Sequence, residues 1–141
     1  MQRKASAAWQ GGIKDGKGTI STESTVLSAT PYSFSARFEG APGTNPEELL
    51  AASHAGCFTM ALSLMLGESG IRPERIDTTA TVTLEKLAGG FTVTKVHLDV
   101  TVAAAGADRA KFEAAATKAK INCPISRVLR ADISMDARLA A

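Results

Sequence analysis

The most continuous apolar pattern in the chain lies near its centre, over residues 43–67. This stretch reads GTNPEELLAASHAGCFTMALSLMLG and carries no charged residue after Glu48. Asn45 is a candidate N-cap, Pro46 takes the first helical position, and Glu47 and Glu48 lie where the positive end of a helix dipole favours acids. A helix that is apolar on nearly all sides is typical of a protein interior. The pattern therefore predicts a long, buried central helix around which the other elements pack.

Alternating apolar and polar residues predict strands before this helix. In YSFSARF, residues 32–38, the aromatic side chains and Ala36 alternate with Ser33, Ser35 and Arg37. Such alternation predicts a half-buried strand with Arg37 on its polar side. Further upstream, Asp15-Gly16 predicts a hairpin between the segment that ends at Trp9 and the Thr-rich segment that follows.

Longer alternating segments follow the central helix. Residues 78–87 and 91–104 are joined by Ala-Gly-Gly and predict a hairpin, with Val and Leu side chains on the core side of the second strand. Residues 107–120 predict a helix capped by Asp108, Pro124 begins a short helix, and residues 132–141 predict a final strand. Because strands come in runs, the chain is expected to be an α+β protein with antiparallel sheet. A length of 141 residues predicts one domain, 1–141.

Composition narrows the choice of partner and compartment. Hydrophobic residues at 45% and charged residues at 21% are typical of a globular protein. With a formal net charge of +2 and scattered basic residues, no nucleic-acid partner is expected. The Ser, Thr, His and Gly content of the central helix argues against a membrane span. The N-terminus lacks the apolar run of a secretory signal, so we expect a cytoplasmic protein.

Two motifs favour other chemistry only in part. Residues 11–17 match the Gly-x-x-x-x-Gly-Lys front of a phosphate-binding loop, but Gly18 replaces the Ser or Thr that would bind magnesium, and a strand-like segment follows. A plain turn is the better interpretation. His54 and Cys57 lie three residues apart on the central helix and could share a metal, but a metal site needs three or four ligands. No metal is therefore expected, and a packed histidine is favoured.

The chain has two cysteines, and their surroundings differ. A buried cysteine is more often a small apolar side chain than a nucleophile. Cys123 precedes Pro124 at a helix start, where backbone N–H groups stabilise a thiolate, so local electrostatics favour Cys123 as the nucleophile. Cys57 lies mid-helix among apolar residues, which raises a thiol pKa, so it would need a cation such as Arg37.

Four segments together resemble the OsmC/Ohr family of bacterial thiol-dependent peroxidases, and most closely its OsmC branch. They are WQGGIKDGKGTISTES near the N-terminus, RFEG, the central GTNPEELLAASHAGCFTMALSLML, and INCPIS near the C-terminus. The similarity extends over essentially the whole chain in the same order. It implies an α+β fold whose subunits intertwine as a homodimer, and an enzyme of oxidative or osmotic stress defence that reduces organic hydroperoxides and hydrogen peroxide.

The resemblance also implies roles for individual residues. Cys57 corresponds to the peroxidatic cysteine and Cys123 to the resolving one, Arg37 to the arginine beside the thiolate, and Glu47 to the carboxylate that positions this arginine. In the Ohr branch the arginine comes from the Gly-rich N-terminal segment, where this chain has Lys14, so both cations stay candidates. The implied chemistry uses no metal, haem or other cofactor, and an external dithiol reduces the resulting disulfide.

Helix geometry adds two expectations. An apolar wall that includes Phe58 and Met60, with Leu62 and Leu64, would bind apolar hydroperoxides. Glu47 and Cys57 lie ten residues apart, which is about 15 Å along a helix, so they do not readily meet at one arginine within a chain. The hypothesis that follows is a site built from two chains. The alternative is a binding protein with inert cysteines, either for small apolar ligands or associated with the stress response.

Overall fold

The computed structural model describes residues 1–140, which divide into two compact units after Leu49. Each unit has its own three-stranded sheet. The prediction of one domain over residues 1–141 stays a prediction.

The first unit is built on a small antiparallel sheet. Its strands are β1 (Ala5–Gln10), β2 (Lys17–Thr22) and β3 (Thr30–Tyr32), in the order β1-β2-β3. The predicted hairpin is confirmed, because β1 and β2 pair antiparallel across the turn. The backbone N–H of Gly16 donates to the carbonyl of Gly12 over 2.8 Å, and a Cβ at Gly16 would collide with that carbonyl. The glycines therefore permit a tight turn, and a strand rather than a helix follows it.

The predicted strand over residues 32–38 is wrong, because the segment forms a helix after Tyr32. Helix α1 spans Phe34–Phe38, and the Ser33 hydroxyl caps it by accepting a hydrogen bond from the backbone N–H of Ala36 over 3.0 Å. Phe34 and Phe38 lie one turn apart with ring centroids separated by 4.9 Å. Aromatic residues at this spacing suit a helix face as well as a strand face, and the cap decides between them.

The central helix α2 spans Pro46–Glu68, and its predicted start is confirmed. The side-chain oxygen of Asn45 accepts a hydrogen bond from the backbone N–H of Glu48 over 2.8 Å. By length and composition alone α2 could cross a membrane. The core helix of a soluble protein can have the same length and composition.

The prediction that α2 is buried on all sides is wrong for the single chain. The fully buried residues form one stripe at four-residue spacing, namely His54, Phe58, Leu62 and Leu66. Met60 and Leu64 remain 77% and 60% exposed, and only 22% of the most apolar part of the helix is buried. Helix α2 therefore has more apolar surface than the core of one chain buries.

The second unit combines a sheet with three helices. After α2 come β4 (Arg75–Leu87), β5 (Gly90–Ala103), α3 (Arg109–Asn122), α4 (Pro124–Val128) and β6 (Asp132–Leu139). The β4–β5 hairpin, the Asp108 cap of α3 and the short helix α4 are confirmed. The core side of β5 is also as predicted, with Val96, Leu98, Val100 and Val102 fully buried.

The sheet of the second unit is mixed rather than purely antiparallel. Its order is β4-β5-β6, and β6 pairs parallel with β5, from Lys95 opposite Asp132 to Val102 opposite Leu139. The segment between β5 and β6 contains α3 and α4, which is the kind of long crossover that parallel strands require. The α+β class is confirmed, and the parallel pair corrects the expectation of antiparallel sheet throughout. The core of this unit contains residues of α2, β5 and α3 together with Cys123.

Candidate functional site

Arg37 and Glu47 form an ion pair in the first unit. Arg37 lies in the last turn of α1 and Glu47 in the first turn of α2. The Nε of Arg37 donates to Oε2 of Glu47 over 3.0 Å and Nη2 donates to Oε1 over 2.6 Å, so the guanidinium fork holds both carboxylate oxygens. The predicted positioning of Arg37 by Glu47 therefore has a direct contact. Nη1 takes no part in this fork, which leaves that side of the guanidinium for another acceptor.

Both members of the ion pair are charged at neutral pH. The hydrogen bond to Glu47 raises the pKa of Arg37. Burial raises the pKa of Glu47, but the hydrogen bond and the charge of Arg37 outweigh burial, so the pKa of this carboxyl lies below its ordinary value. The side chain of Glu47 is 16% exposed and that of Arg37 is 35% exposed. Glu47 therefore holds the positively charged guanidinium of Arg37 at a partly buried position, and the pair as a whole has no net charge.

The two cysteines meet in the second unit. Cys57 lies on α2 and is partly buried, whereas Cys123 is fully buried between α3 and α4. Both are free, and Cys57 packs against the core cluster that contains Cys123, close enough for Cys123 to influence the pKa of Cys57. Burial raises the pKa of Cys57, the neighbouring Cys123 raises it further, and a hydrogen bond from the backbone N–H of Ile125 acts in the opposite direction. The net shift is upward, as the sequence predicted for a mid-helix cysteine.

The start of α4 holds Cys123 and Ile125 beside Cys57. Cys123 is both the last cap of α3 and the N-cap of α4, and Pro124 follows at the first helical position. Its sulfur makes no capping hydrogen bond, and Cys123 is one of the groups that raise the pKa of Cys57. The Cys-Pro sequence thus ends α3 and begins α4. It also places the thiol of Cys123 and the backbone N–H of Ile125 near the sulfur of Cys57.

A buried hydrogen bond next to the thiols joins α2 and α4. The Nε2 of His54 lies 2.8 Å from the hydroxyl oxygen of Ser126, and both residues are buried. Burial lowers the pKa of His54, which is therefore neutral at neutral pH. His54 is a packed histidine, as favoured from the sequence, but its contact with Ser126 was missed. The one available signal was the three-residue spacing that puts His54 and Cys57 on the same side of α2.

Phe58 and Met60 do not form one wall. Phe58 and Leu62 are fully buried in the core, whereas Met60 and Leu64 are exposed. Residues two apart on a helix point in nearly opposite directions, which the sequence interpretation did not take into account. Any apolar surface offered to a substrate by this part of α2 therefore comes from Met60 and Leu64.

Neither the metal nor the nucleotide motif forms a ligand site in the described residues. Over residues 1–140 there is no group of three or more His, Cys, Asp or Glu side chains that could hold a metal ion. The Nε2 of His54, which could have been a ligand, is engaged by Ser126. Residues 11–17 form the turn between β1 and β2 described above.

The predicted site residues therefore form two pairs, Arg37 with Glu47 in the first unit and Cys57 with Cys123 in the second. A partly exposed thiol near a buried one is an arrangement that suits a two-cysteine thiol redox protein, in which one sulfur meets the oxidant and the other forms the disulfide.

Comparison with known proteins assigns the family. Residues 38–138 match the family model described as OsmC-like protein. The chain is 55% identical over 139 residues to "Peroxiredoxin OsmC" of Escherichia coli K12, which covers 99% of this chain and 97% of that protein. It is 30% identical over 102 residues to "Organic hydroperoxide resistance protein" of Xanthomonas axonopodis pv. citri, with 72% and 70% covered.

A solved structure agrees with this assignment. The crystal structure of the organic hydroperoxide resistance protein OhrB of Bacillus subtilis matches with a TM-score of 0.71 at 28% identity, covering 96% of this chain and 98% of that one. The chain belongs to the OsmC family. It is a thiol-dependent peroxidase of stress defence, and both the family resemblance and the α+β fold predicted from the sequence are confirmed.

Proposed function

We propose that the protein reduces organic hydroperoxides with Cys57 as the peroxidatic cysteine and Cys123 as the resolving cysteine. The observation that carries this assignment is the contact between a partly exposed Cys57 and a fully buried Cys123. A hydroperoxide reaches the exposed sulfur first, and the buried sulfur lies beside it for the second step. Local electrostatics alone favoured Cys123 as the nucleophile. We assign this role to Cys57 instead, because its sulfur is partly exposed whereas Cys123 is fully buried.

The first step transfers one oxygen atom to sulfur. The thiolate of Cys57 attacks the peroxide oxygen that carries hydrogen, the O–O bond breaks, and the leaving alkoxide takes up a proton to become an alcohol. Cys57 is thereby oxidised to sulfenic acid. Arg37, held by Glu47, supplies the positive charge that stabilises the thiolate and the leaving oxygen.

The second step forms a disulfide and releases water. The thiolate of Cys123 attacks the sulfenic sulfur of Cys57, the S–O bond breaks, and the leaving hydroxide takes up a proton. An external dithiol then exchanges with the disulfide, which regenerates both thiols and leaves the dithiol oxidised. The reaction needs no metal or other cofactor. We place it in the cytoplasm, where dithiol reductants are maintained.

Two observations support the substrate class and the assembly. Met60 and Leu64 give α2 an exposed apolar face, which suits an organic hydroperoxide better than hydrogen peroxide. A second copy of the chain is the proposed cover of this exposed apolar face. The protein is thus proposed to act as a homodimer, in which the pair Arg37–Glu47 of one chain serves Cys57 of the other.

Titration of thiols with cumene hydroperoxide tests the cysteine assignment. An equimolar amount added to the reduced protein should remove both thiols of each chain. Cys57→Ser should retain its remaining thiol, whereas Cys123→Ser should lose its thiol and give a sulfenic acid that dimedone traps. Retention of both thiols by the unsubstituted protein would favour the alternative of a ligand-binding protein, and thiol loss in Cys57→Ser would reverse the assignment.

A further inference from the structure

The buried histidine beside the thiols has only one of its ring nitrogens in use. His54 is fully buried, and its Nδ1 is the buried side-chain polar atom that lacks a hydrogen-bond partner among the described residues. Burial of a polar ring at this cost needs a compensating contact. The compensation is the bond of Nε2 to Ser126, a residue 72 positions further along the chain.

This bond lies between the same two segments of the chain that carry the two thiols. His54 and Cys57 lie three residues apart on α2, and Cys123 and Ser126 lie three residues apart at the start of α4. The hydrogen bond between His54 and Ser126 therefore connects the segment that carries Cys57 to the segment that carries Cys123. Helix α4 has only five residues and no side-chain cap, so its position depends on what it contacts.

We propose that His54 and Ser126 are positioning residues for disulfide closure, which hold the start of α4 against α2 so that Cys123 stays within reach of Cys57. We assign them no chemical step of their own. The inference rests on the proposed function for its use in catalysis, and it adds two residues to the resolving step. The hydroxyl of Ser126 acts through the orientation of α4, which also carries the Ile125 backbone N–H that lowers the pKa of Cys57.

The effective concentration of one thiol for the other measures this role directly. The protein is equilibrated with mixtures of reduced and oxidised glutathione, in which two glutathione thiols and the protein disulfide exchange for glutathione disulfide and two protein thiols. We expect Ser126→Ala to lower the effective concentration about tenfold, a shift of about 30 mV to a less negative reduction potential. The reason is that α4 becomes less ordered in the dithiol state, whereas the disulfide still holds it.

The chain offers a matched control on the exposed face of the second sheet. There Ser134 bonds to Nδ1 of His97 over 2.7 Å, so Ser134→Ala removes the same kind of contact away from the thiols. It should leave the effective concentration within about twofold of the unsubstituted protein, as surface changes usually do. His54→Gln, whose amide nitrogen reaches a position similar to Nε2, should retain most of the effective concentration, whereas His54→Leu should lose as much as Ser126→Ala.

The kinetics should separate the two steps of the reaction. Ser126→Ala should prolong the life of the sulfenic acid at Cys57, measured by dimedone trapping, with the rate of hydroperoxide consumption in the first step within about threefold of normal. The double variant of His54→Leu and Ser126→Ala should lose no more than either single variant, because the two residues act through one bond.

Several results would overturn the inference. A folded Ser126→Ala variant with an unchanged effective concentration would do so, as would an equal loss in Ser134→Ala or additive losses in the double variant. The glutathione equilibrium needs no hydroperoxide. If the unsubstituted protein fails to lose thiols to cumene hydroperoxide but Ser126→Ala still lowers the effective concentration, the proposed function fails and the positioning role stands.

Discussion

In the proposed mechanism, the sulfur of Cys57 sets the pH at which the protein can react. Burial is the largest influence on the thiol of Cys57 and raises its pKa, and the thiol of Cys123 adds to the shift, whereas the Ile125 N–H opposes it. Only the thiolate attacks a peroxide, so a raised pKa lowers the reactive fraction at neutral pH. A nearby positive charge would lower the pKa of Cys57. Arg37, which is paired with Glu47, is the proposed source of this charge.

Arg37→Gln should therefore shift the reactivity of Cys57 to higher pH. An opposite charge within a few ångströms lowers a pKa by about 1–3 units, so its loss should slow the reaction at neutral pH about tenfold or more. At alkaline pH, above the raised pKa of Cys57, both proteins are fully thiolate and their rates should converge. The measurement is the rate of alkylation by the uncharged reagent iodoacetamide across a pH series, in a Cys123→Ser background that leaves one thiol.

Lys14→Gln is the matched control for this experiment. Lys14 is the other cation that the family resemblance offers, and its substitution should leave the pH profile of alkylation unchanged. A shift in Lys14→Gln without one in Arg37→Gln would assign the cation to the N-terminal segment. Identical profiles in all three proteins would show that neither residue serves the thiolate.

For single residues, the sequence predicts chemical properties such as a raised pKa better than it predicts which distant side chains meet. The raised pKa of Cys57 followed from its mid-helix apolar setting, and the Arg37–Glu47 and Cys57–Cys123 pairings came from family resemblance. The bond from His54 to Ser126 joins residues 72 positions apart, and no local pattern encodes such a contact. Nor does periodicity show which of two thiols a folded chain leaves accessible.

At the scale of elements, the central helix has two apolar sides with different roles. Phe58, Leu62 and Leu66 point into the core of the second unit, whereas Met60 and Leu64 are exposed. A sequence that is apolar all round gives no sign of which side belongs to which role, since both sides have the same composition. The distinction arises only when β5 and α3 fill one side of the helix.

Phe58→Ala tests the assignment of Phe58 to the core instead of to a substrate wall. Truncation of a fully buried Phe removes its packing and leaves a cavity, so we expect a loss of about 3–5 kcal/mol in the free energy of unfolding, measured by urea denaturation. Phe91→Ala is the matched control, because Phe91 is 58% exposed, and it should change stability by only about 0.5 kcal/mol. Equal losses in the two variants would contradict the assignment.

The elements that were predicted well are those whose signals are local. Asp15-Gly16 defines a hairpin, Asp108 caps α3, and the Val and Leu side of β5 faces the core. Two of the errors, the strand over residues 32–38 and the antiparallel pairing of the last strand, have a common origin in context. Residues 34–38 have a spacing that fits strand and helix alike, and the Ser33 cap resolves it, while the parallel pairing of β6 depends on the path of the α3–α4 crossover.

At the scale of the whole molecule, the proposed homodimer is motivated by the distribution of the candidate functional groups along the chain. The ion pair belongs to the first unit and the thiols to the second, and Glu47 and Cys57 lie ten residues apart on α2. At 1.5 Å per residue this separation is about 15 Å along the helix, more than an arginine held by Glu47 readily spans. In the two-fold symmetric dimer that we propose, the arginine of one chain meets the thiolate of the other, and the second copy covers Met60 and Leu64.

A mixed dimer of Cys57→Ser and Arg37→Gln chains tests this arrangement directly. If each site takes its cysteine from one chain and its arginine from the other, the mixed dimer has one site with both substitutions and one site with neither. It should therefore regain about half of the normal hydroperoxide reductase activity, although each parent homodimer is impaired. The two chains are co-expressed with different affinity tags, the mixed dimer is isolated by successive purification on both tags, and its activity is compared with that of each homodimer. Activity no higher than the mean of the two parents would place the whole site within one chain, and failure of the tags to co-purify at all would contradict the homodimer.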